Sequence, residues 1–385
     1  MKLRNKRRVI NVIILLLTVL ILLFLLEVFL RALEPKKDIF TKYDENLVSV
    51  NIPNAEGYYC KSEFCNYIEL NSKGLRDREY DYEKNNKYRI VVLGDSMMEG
   101  LEVSLNDSFQ EILENSLGEN YEVINFGVGG YSTDQEYLTL KEEGLKYNPD
   151  LVILAFLPIN DVRDNYDFGI MPKNYFRIEN GALTRENKSV SNNISTEKEN
   201  GFIKIKSFIS KFKVYSFFVS GLTKINFVSE FLMEKGLFKN VHYILVNGKI
   251  MPREALIYSE DYNKEWQDAF DVTKALIMET KKISNENGAE FLLVILPDKE
   301  QIEVEEWDLA LEEYPVMKTL SFDLEKPNRV LKELCEQNNI DCLFLLDDFR
   351  EVYANGTKLY YSKDRHWNEE GNKLAADLVI SYLSQ

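Results

Sequence analysis

Four short stretches of this 385-residue sequence carry residue types that together can move an acyl group. They are Gly94-Asp95-Ser96-Met97, Asn125-Phe-Gly-Val-Gly-Gly130, Pro158-Ile-Asn160-Asp161 and Asp364-Arg-His366. A hydroxyl, a glycine-rich turn with free main-chain donors, a carboxamide and an acid–imidazole pair are the parts that serine acyl transfer needs. They serve as nucleophile, oxyanion donors, base and the group that orients the base. Singly, each stretch has an ordinary explanation. Gly-Asp-Ser after a strand makes a turn, and Asn160-Asp161 can cap a helix. Gly127, Gly129 and Gly130 could cradle a phosphate, but the G-x-G-x-x-G spacing and a P-loop lysine are both missing.

The histidines narrow the choice. Only His242 and His366 are available as a base. His242 lies in Asn240-Val-His-Tyr-Ile-Leu with no acid beside it, whereas His366 has Asp364 two residues before it. On an extended segment residues i and i+2 point the same way. Asp364 can then accept from Nδ1–H of His366 and leave Nε2 for the serine, as a general base requires.

These stretches need a scaffold that gathers them on one rim. Short runs rich in Val, Ile and Leu occur at 88–93, 121–126, 150–157, 290–296 and 342–346. Each has the length and continuous apolar character of a strand buried on both faces. Helical patterns separate them: Phe109, Ile112, Leu113 and Leu117 after the first, and Leu374, Ala375, Leu378, Val379 and Tyr382 at the end. Thr133-Asp-Gln-Glu136 reads as a capping-box helix start. Alternating strands and helices predict a parallel sheet covered on both faces, with ligands at the carboxyl ends of the strands. The sequence divides into residues 1–34, a polar stretch 35–86 and a main domain 87–385. The main domain holds an insertion of about 168–260, loop-like over Asn180–Asn200 and then helical and aromatic, with Phe202, Phe208, Phe212, Tyr215, Phe217, Phe218, Phe227 and Phe231. That insertion reads as a helical subdomain, either ordinary packing or a substrate lid or membrane-facing patch.

With these blocks in this order, the sequence resembles the SGNH (GDSL-type) hydrolase superfamily over residues 88–383. The resemblance implies a three-layer α/β/α, flavodoxin-like domain with about five parallel strands. It casts Ser96 as nucleophile, Asp364 and His366 as its acid and base, and Ser96, Gly130 and Asn160 as the oxyanion donors. There are departures: Met97 stands where the block has Leu, Pro158 where many members have Gly, and one residue instead of two separates Asp364 from His366. The shorter spacing is similar to membrane-linked branches such as alginate O-acetyltransferase-like proteins. The expected activity is therefore hydrolysis or transfer of acyl, chiefly acetyl, esters on a surface glycan, without cofactor or metal. A membrane partner supplying acyl groups would suit the transferase. The alternatives are a membrane lipase or thioesterase, and a glycan-binding or assembly protein that keeps the fold without catalysis.

The N-terminus sets the compartment. Val9 to Leu26 is an uncharged run of 18 residues, preceded by Lys2, Arg4, Lys6, Arg7 and Arg8. It is long enough to span a bilayer, and its flanking charge predicts a cytoplasmic N-terminus and an extracytoplasmic body. Residues 9–30 are thus the expected membrane contact. No small-x-small cleavage site follows, so an anchor is favoured over a signal peptide. The net charge is −16, and the basic N-terminus makes the remaining body more acidic still, which excludes general nucleic-acid binding. In that compartment Cys60 with Cys65 and Cys335 with Cys342 are expected as two local disulfides, with two pairs of free core thiols as the alternative. Zinc is disfavoured because there is no C-x2-C spacing and histidines are so few.

Overall fold

The computed structural model describes residues 2–32, 40–168, 173–186, 212–223, 225–235 and 242–385. It consists of two compact units, Asp38–Val190 with Asn240–Gln385, and Met1–Lys37 with Ser191–Lys239.

The larger unit begins with two antiparallel hairpins. One pairs β1 (Thr41–Asp44) with β2 (Val48–Asn51), and the other pairs β3 (Glu56–Cys60) with β4 (Cys65–Glu69). The parallel strands β5 (Tyr88–Leu93), β6 (Tyr121–Asn125) and β7 (Leu151–Phe156) follow. Two further hairpins come next, β8 (Phe176–Glu179) with β9 (Ala182–Arg185), and β10 (Tyr243–Val246) with β11 (Lys249–Pro252). Strands β12 (Glu290–Ile295) and β13 (Asp341–Phe344) complete a five-stranded parallel sheet of order β13-β12-β7-β5-β6. The fold is α/β, with the three-layer arrangement and strand number the sequence implies.

Burial explains why the strands carry no polar alternation. Every residue of β7 is buried, and Ile90 to Leu93 of β5 have no exposed surface. Such strands must be apolar on both faces. The helices Phe109–Leu117, Thr133–Glu142, Lys264–Glu286 and Glu369–Leu383 supply the covering layers. Asn263 and Asn368 start the last two, each accepting a backbone N–H with its side-chain oxygen. The chain runs from β5 out to the edge strand β6, then returns to β7 on the other side of β5. This reversal opens a crevice at the carboxyl ends of β5 and β7, where ligands bind in such sheets.

Three local expectations change. The capping box at Thr133–Glu136 does not form. Ser132 is the cap residue, its hydroxyl bonds Asp134, Thr133 bonds Asp161, and Glu136 is buried. Buried polar partners, Asp161 for Thr133 and Lys173 for Asp134, outweigh the local signal. The insertion is not wholly helical, since two hairpins flank its helices. Residues 35–86 contain ordered hairpins where only a polar segment was foreseen. The disulfides join Cys60 to Cys65 across the β3–β4 tip, and Cys335 to Cys342 between the helix Lys326–Asn338 and β13.

The smaller unit holds the helix Lys2–Ala32, in which Ile10–Ala32 is long and apolar enough to cross a membrane. Its Leu, Ile and Phe side chains from Ile10 to Phe29 are largely exposed. The helices Lys213–Thr223 and Asn226–Glu234 belong to the same unit, and Glu27 accepts the Val214 N–H and Arg31 Nε. Phe202, Phe208 and most of Asn180–Asn200 lie outside the described residues.

Candidate active site

Ser96 stands where β5 turns into the single helical turn Ser96–Glu99. Asp95 makes the turn by accepting the Met97 N–H on Oδ1 at 2.8 Å. A Cβ on Gly94 would meet the Met98 side chain at 2.4 Å, so the close return of chain there requires glycine. The Ser96 N–H is among the donors that a helix start leaves without an intrahelical partner.

His366 reaches the serine from the far end of the sequence, its Nε2 2.7 Å from Ser96 Oγ. Its Nδ1 meets Asp364 Oδ1, and its backbone N–H bonds the same oxygen at 3.2 Å. The pair does not directly follow β13, as the strand pattern suggested. The helix Leu346–Ala354 intervenes, and the loop is then closed by the bridge of Tyr360 to Trp367. Within it the side chains alternate. His366 reaches Ser96 with Asp364 on its Nδ1 side, while Arg365 turns the other way and bonds both oxygens of buried Asp298 at 2.8 and 3.0 Å. His242 has no part in this set; its carbonyl accepts the Arg253 N–H.

The other side of Ser96 holds the predicted oxyanion donors. A Cβ on Gly129 would come within 3.8 Å of Ser96 Cβ, which places the glycine turn against the serine. Gly130 is exposed with φ +81°, a left-handed conformation that favours glycine. Asn160 starts from the carboxyl end of β7, and its Nδ2 donates to Asp95 Oδ2 at 2.8 Å. Its Oδ1 accepts from Arg163 at 3.4 Å. The two contacts orient the amide and leave one Nδ2–H for a substrate oxygen.

Burial competes with hydrogen bonds and neighbouring charges in setting the charges. For His366, burial opposes protonation, but the Asp364 hydrogen bond and the charges of Glu102, Asp364 and Asp95 outweigh it, so the imidazole pKa lies above 6.5. For Asp364, the His366 hydrogen bond, against partial burial and together with the Lys61 hydrogen bond, holds the carboxyl well below the usual range. Burial pushes Asp95 and Glu102 up.

Four residues at the site escaped the sequence reading: Asp95, Glu102, Lys61 and Glu63. Asp95 carried a signal, since an Asp immediately before a helix start is a preferred cap. Nothing in the spacing of the others marks them. Glu102, Asp364 and His366 bring donor atoms close enough to hold a cation. Both imidazole nitrogens are already engaged, by Ser96 and by Asp364.

Residues 256–385 match the family model of the SGNH hydrolase-like domain of the acetyltransferase AlgX. Over those residues the chain resembles that domain. The matched part contains Asp364 and His366; Ser96, Gly130 and Asn160 lie before it. No curated protein matches the chain by sequence. Among solved structures, an acetyl xylan esterase is 15% identical at TM-score 0.41, covering 77% of this chain and 100% of its own. A lipolytic G-D-S-L family protein from Veillonella parvula is 12% identical at TM-score 0.39, covering 77% and 99%. A catalytic mutant of an acetylxylan esterase from Geobacillus stearothermophilus is 13% identical at TM-score 0.38, covering 78% and 95%.

Proposed function

We propose that the protein is a membrane-anchored serine esterase or O-acyltransferase acting on acyl, chiefly acetyl, esters of extracytoplasmic glycans. The observation that carries this reading is the chain of contacts from Ser96 Oγ through His366 to Asp364. Ser96 Oγ attacks the acyl carbonyl carbon while its proton passes to His366 Nε2. Asp364 fixes the ring tautomer and stabilises the imidazolium. The carbonyl oxygen, now negative, takes hydrogen bonds from the Ser96 and Gly130 N–H groups and Asn160 Nδ2. Collapse breaks the bond to the leaving alcohol, which receives the proton from Nε2. Water or a sugar hydroxyl then attacks the acyl-serine, again losing its proton to Nε2, and frees Ser96.

Acetyl is favoured as the acyl group by the match to the AlgX acetyltransferase domain. The apolar helix Ile10–Ala32 and the lysines and arginines before it support an anchor with the body outside. The test incubates the chain with p-nitrophenyl acetate and longer esters beside Ser96→Ala. Release of p-nitrophenol by the wild type, with acetylated Ser96 trapped by rapid acid quench and mass spectrometry, supports the reading. Equal rates in wild type and Ser96→Ala sink it.

A further inference from the structure

The β3–β4 hairpin is remote in sequence from the acid–base loop, yet its tip grips that loop. The Glu63 carboxylate accepts three consecutive backbone N–H groups, from Ser362 at 2.9 Å, Lys363 at 2.8 Å and Asp364 at 3.0 Å. Successive N–H groups converging on one anion fix the backbone of the segment that bears them. Lys61 Nζ bonds Asp364 Oδ2 at 2.7 Å. The Phe64 ring lies 5.0 Å from that of Tyr361. The tip is itself closed by the Cys60–Cys65 disulfide and by the Lys61 N–H bond to the Phe64 carbonyl at 2.9 Å.

We propose that the disulfide-closed tip Lys61–Phe64 is a positioning clamp for the triad, with Glu63 setting the loop backbone and Lys61 setting the Asp364 carboxylate. The two oxygens of Asp364 are divided between two partners, Oδ1 with His366 and Oδ2 with Lys61. With Oδ2 tied, the carboxylate cannot turn away from the imidazole. The ammonium also lowers the negative potential at His366, so the base stays neutral, and thus able to accept a proton, at lower pH. The charged groups around the pair are few. His366 faces Asp364 from its own loop, Glu102 from the stretch after the serine helix and Asp95 from the β5 turn. Asp364 faces Lys61, with Tyr59 of the hairpin beside that lysine. Arg365 points away to Asp298 and Glu300. Among the described residues Lys61 is the cation bonded to Asp364, while buried Arg76 interacts with Glu102. Its side chain is 42% exposed, so its replacement leaves no cavity.

This inference rests on His366 being the base, and the test reads the imidazole directly, apart from turnover. The full-length chain in detergent, labelled with ¹⁵N-histidine, gives signals from two imidazoles only, His242 and His366. Lys61→Met should raise the His366 titration midpoint by about half a unit, the effect of removing one nearby partly screened charge. Lys61→Arg should keep the wild-type midpoint. The double variant Cys60→Ser/Cys65→Ser, which frees the tip, should shift it upward as Lys61→Met does. A folded Lys61→Met protein that titrates like wild type overturns the proposal, as does Lys61→Arg shifting as far as Lys61→Met. An inactive wild type whose His366 still responds to Lys61 would sink the esterase reading and leave the clamp standing.

Discussion

Glu102 Oε1 lies 3.5 Å from Nδ1 of His366, the same ring nitrogen that Asp364 holds. On the proposed mechanism the base therefore has two acids behind it. Glu102 is buried, and burial raises its pKa while the imidazole charge lowers it. Its carboxylate is thus favoured as His366 takes the serine proton. In a triad with one acid, amidating that acid costs about 10⁴ in kcat through the wrong tautomer. Here Asp364→Asn should cost about 10²–10³, and Glu102→Gln alone less than about tenfold. The double variant should approach the full loss. Rates on p-nitrophenyl acetate check this; the same proportional effect of Glu102→Gln in both backgrounds would rule it out.

The pH profile follows from the same charges. Only the neutral imidazole accepts the Ser96 proton, and its pKa is raised above 6.5. The acid limb of kcat/KM should have its midpoint above about 6.5, and Glu102→Gln should move it down. For stability, a raised folded-state pKa favours the native state when the group is protonated. That contribution is complete below about 6.5 and is lost as pH rises through the folded value. Melting of wild type against His366→Gln, from about pH 5.5 to about pH 8.5, should show the wild-type advantage shrinking. A constant difference over that range refutes the assignment.

Asp95 gives Asn160 a defined direction, so its effect should appear in kcat more than in KM. Ser96→Ala and His366→Ala should each remove roughly four or more orders of magnitude of activity. Asn160→Ala should cost about 10²–10³-fold, as for one oxyanion donor. Asp95→Asn presents an amide donor or a weaker acceptor to Asn160 Nδ2 and should cost about tenfold or more in kcat, with KM little changed. Parallel losses in kcat and in folded fraction, followed by circular dichroism, would mean Asp95 is only structural.

Much of this site was readable because its signals are local. Ser96, Gly130 and Asn160 each follow an apolar strand whose type is dictated by burial on both faces. Asp364 and His366 disclose themselves by a two-residue spacing that only an extended segment can use. The clamp was unreadable for the opposite reason. Lys61 and Glu63 meet Asp364 across about three hundred residues of sequence, and short polar hairpins have no periodicity that distinguishes them from loop. Thr133–Glu136 shows the reverse failure. Its local helix-start signal was plain, but Asp161 and Lys173 gather those polar side chains into a buried network instead.

Topology is testable without any substrate. The uncharged run Val9–Leu26 behind five basic residues should place everything after Pro35 outside the cytoplasm. Protease added to intact spheroplasts should digest the body, leaving a short membrane-embedded fragment. Protection until the membrane is lysed would reverse the orientation and remove surface glycans as substrates.

The last prediction separates transfer from hydrolysis. Both proceed through the same acyl-serine, and the triad geometry is equally suited to either. The difference lies in what reaches His366 Nε2 after the first alcohol leaves. Water at its bulk concentration wins unless an acceptor hydroxyl is held in place, and such placement is worth as much as about 7–11 kcal/mol. On the proposed reading, an anchor would hold the protein beside a growing surface polymer and so raise the local concentration of sugar hydroxyls. We expect an oligosaccharide acceptor to divert acetyl groups from p-nitrophenyl acetate into O-acetyl sugar, detected by mass spectrometry, with p-nitrophenol release undiminished. Ser96→Ala should abolish both products. If a panel of cell-wall and capsular oligosaccharides yields no acetylated sugar while acetylated glycans are deacetylated, the protein is an esterase and the transferase reading fails.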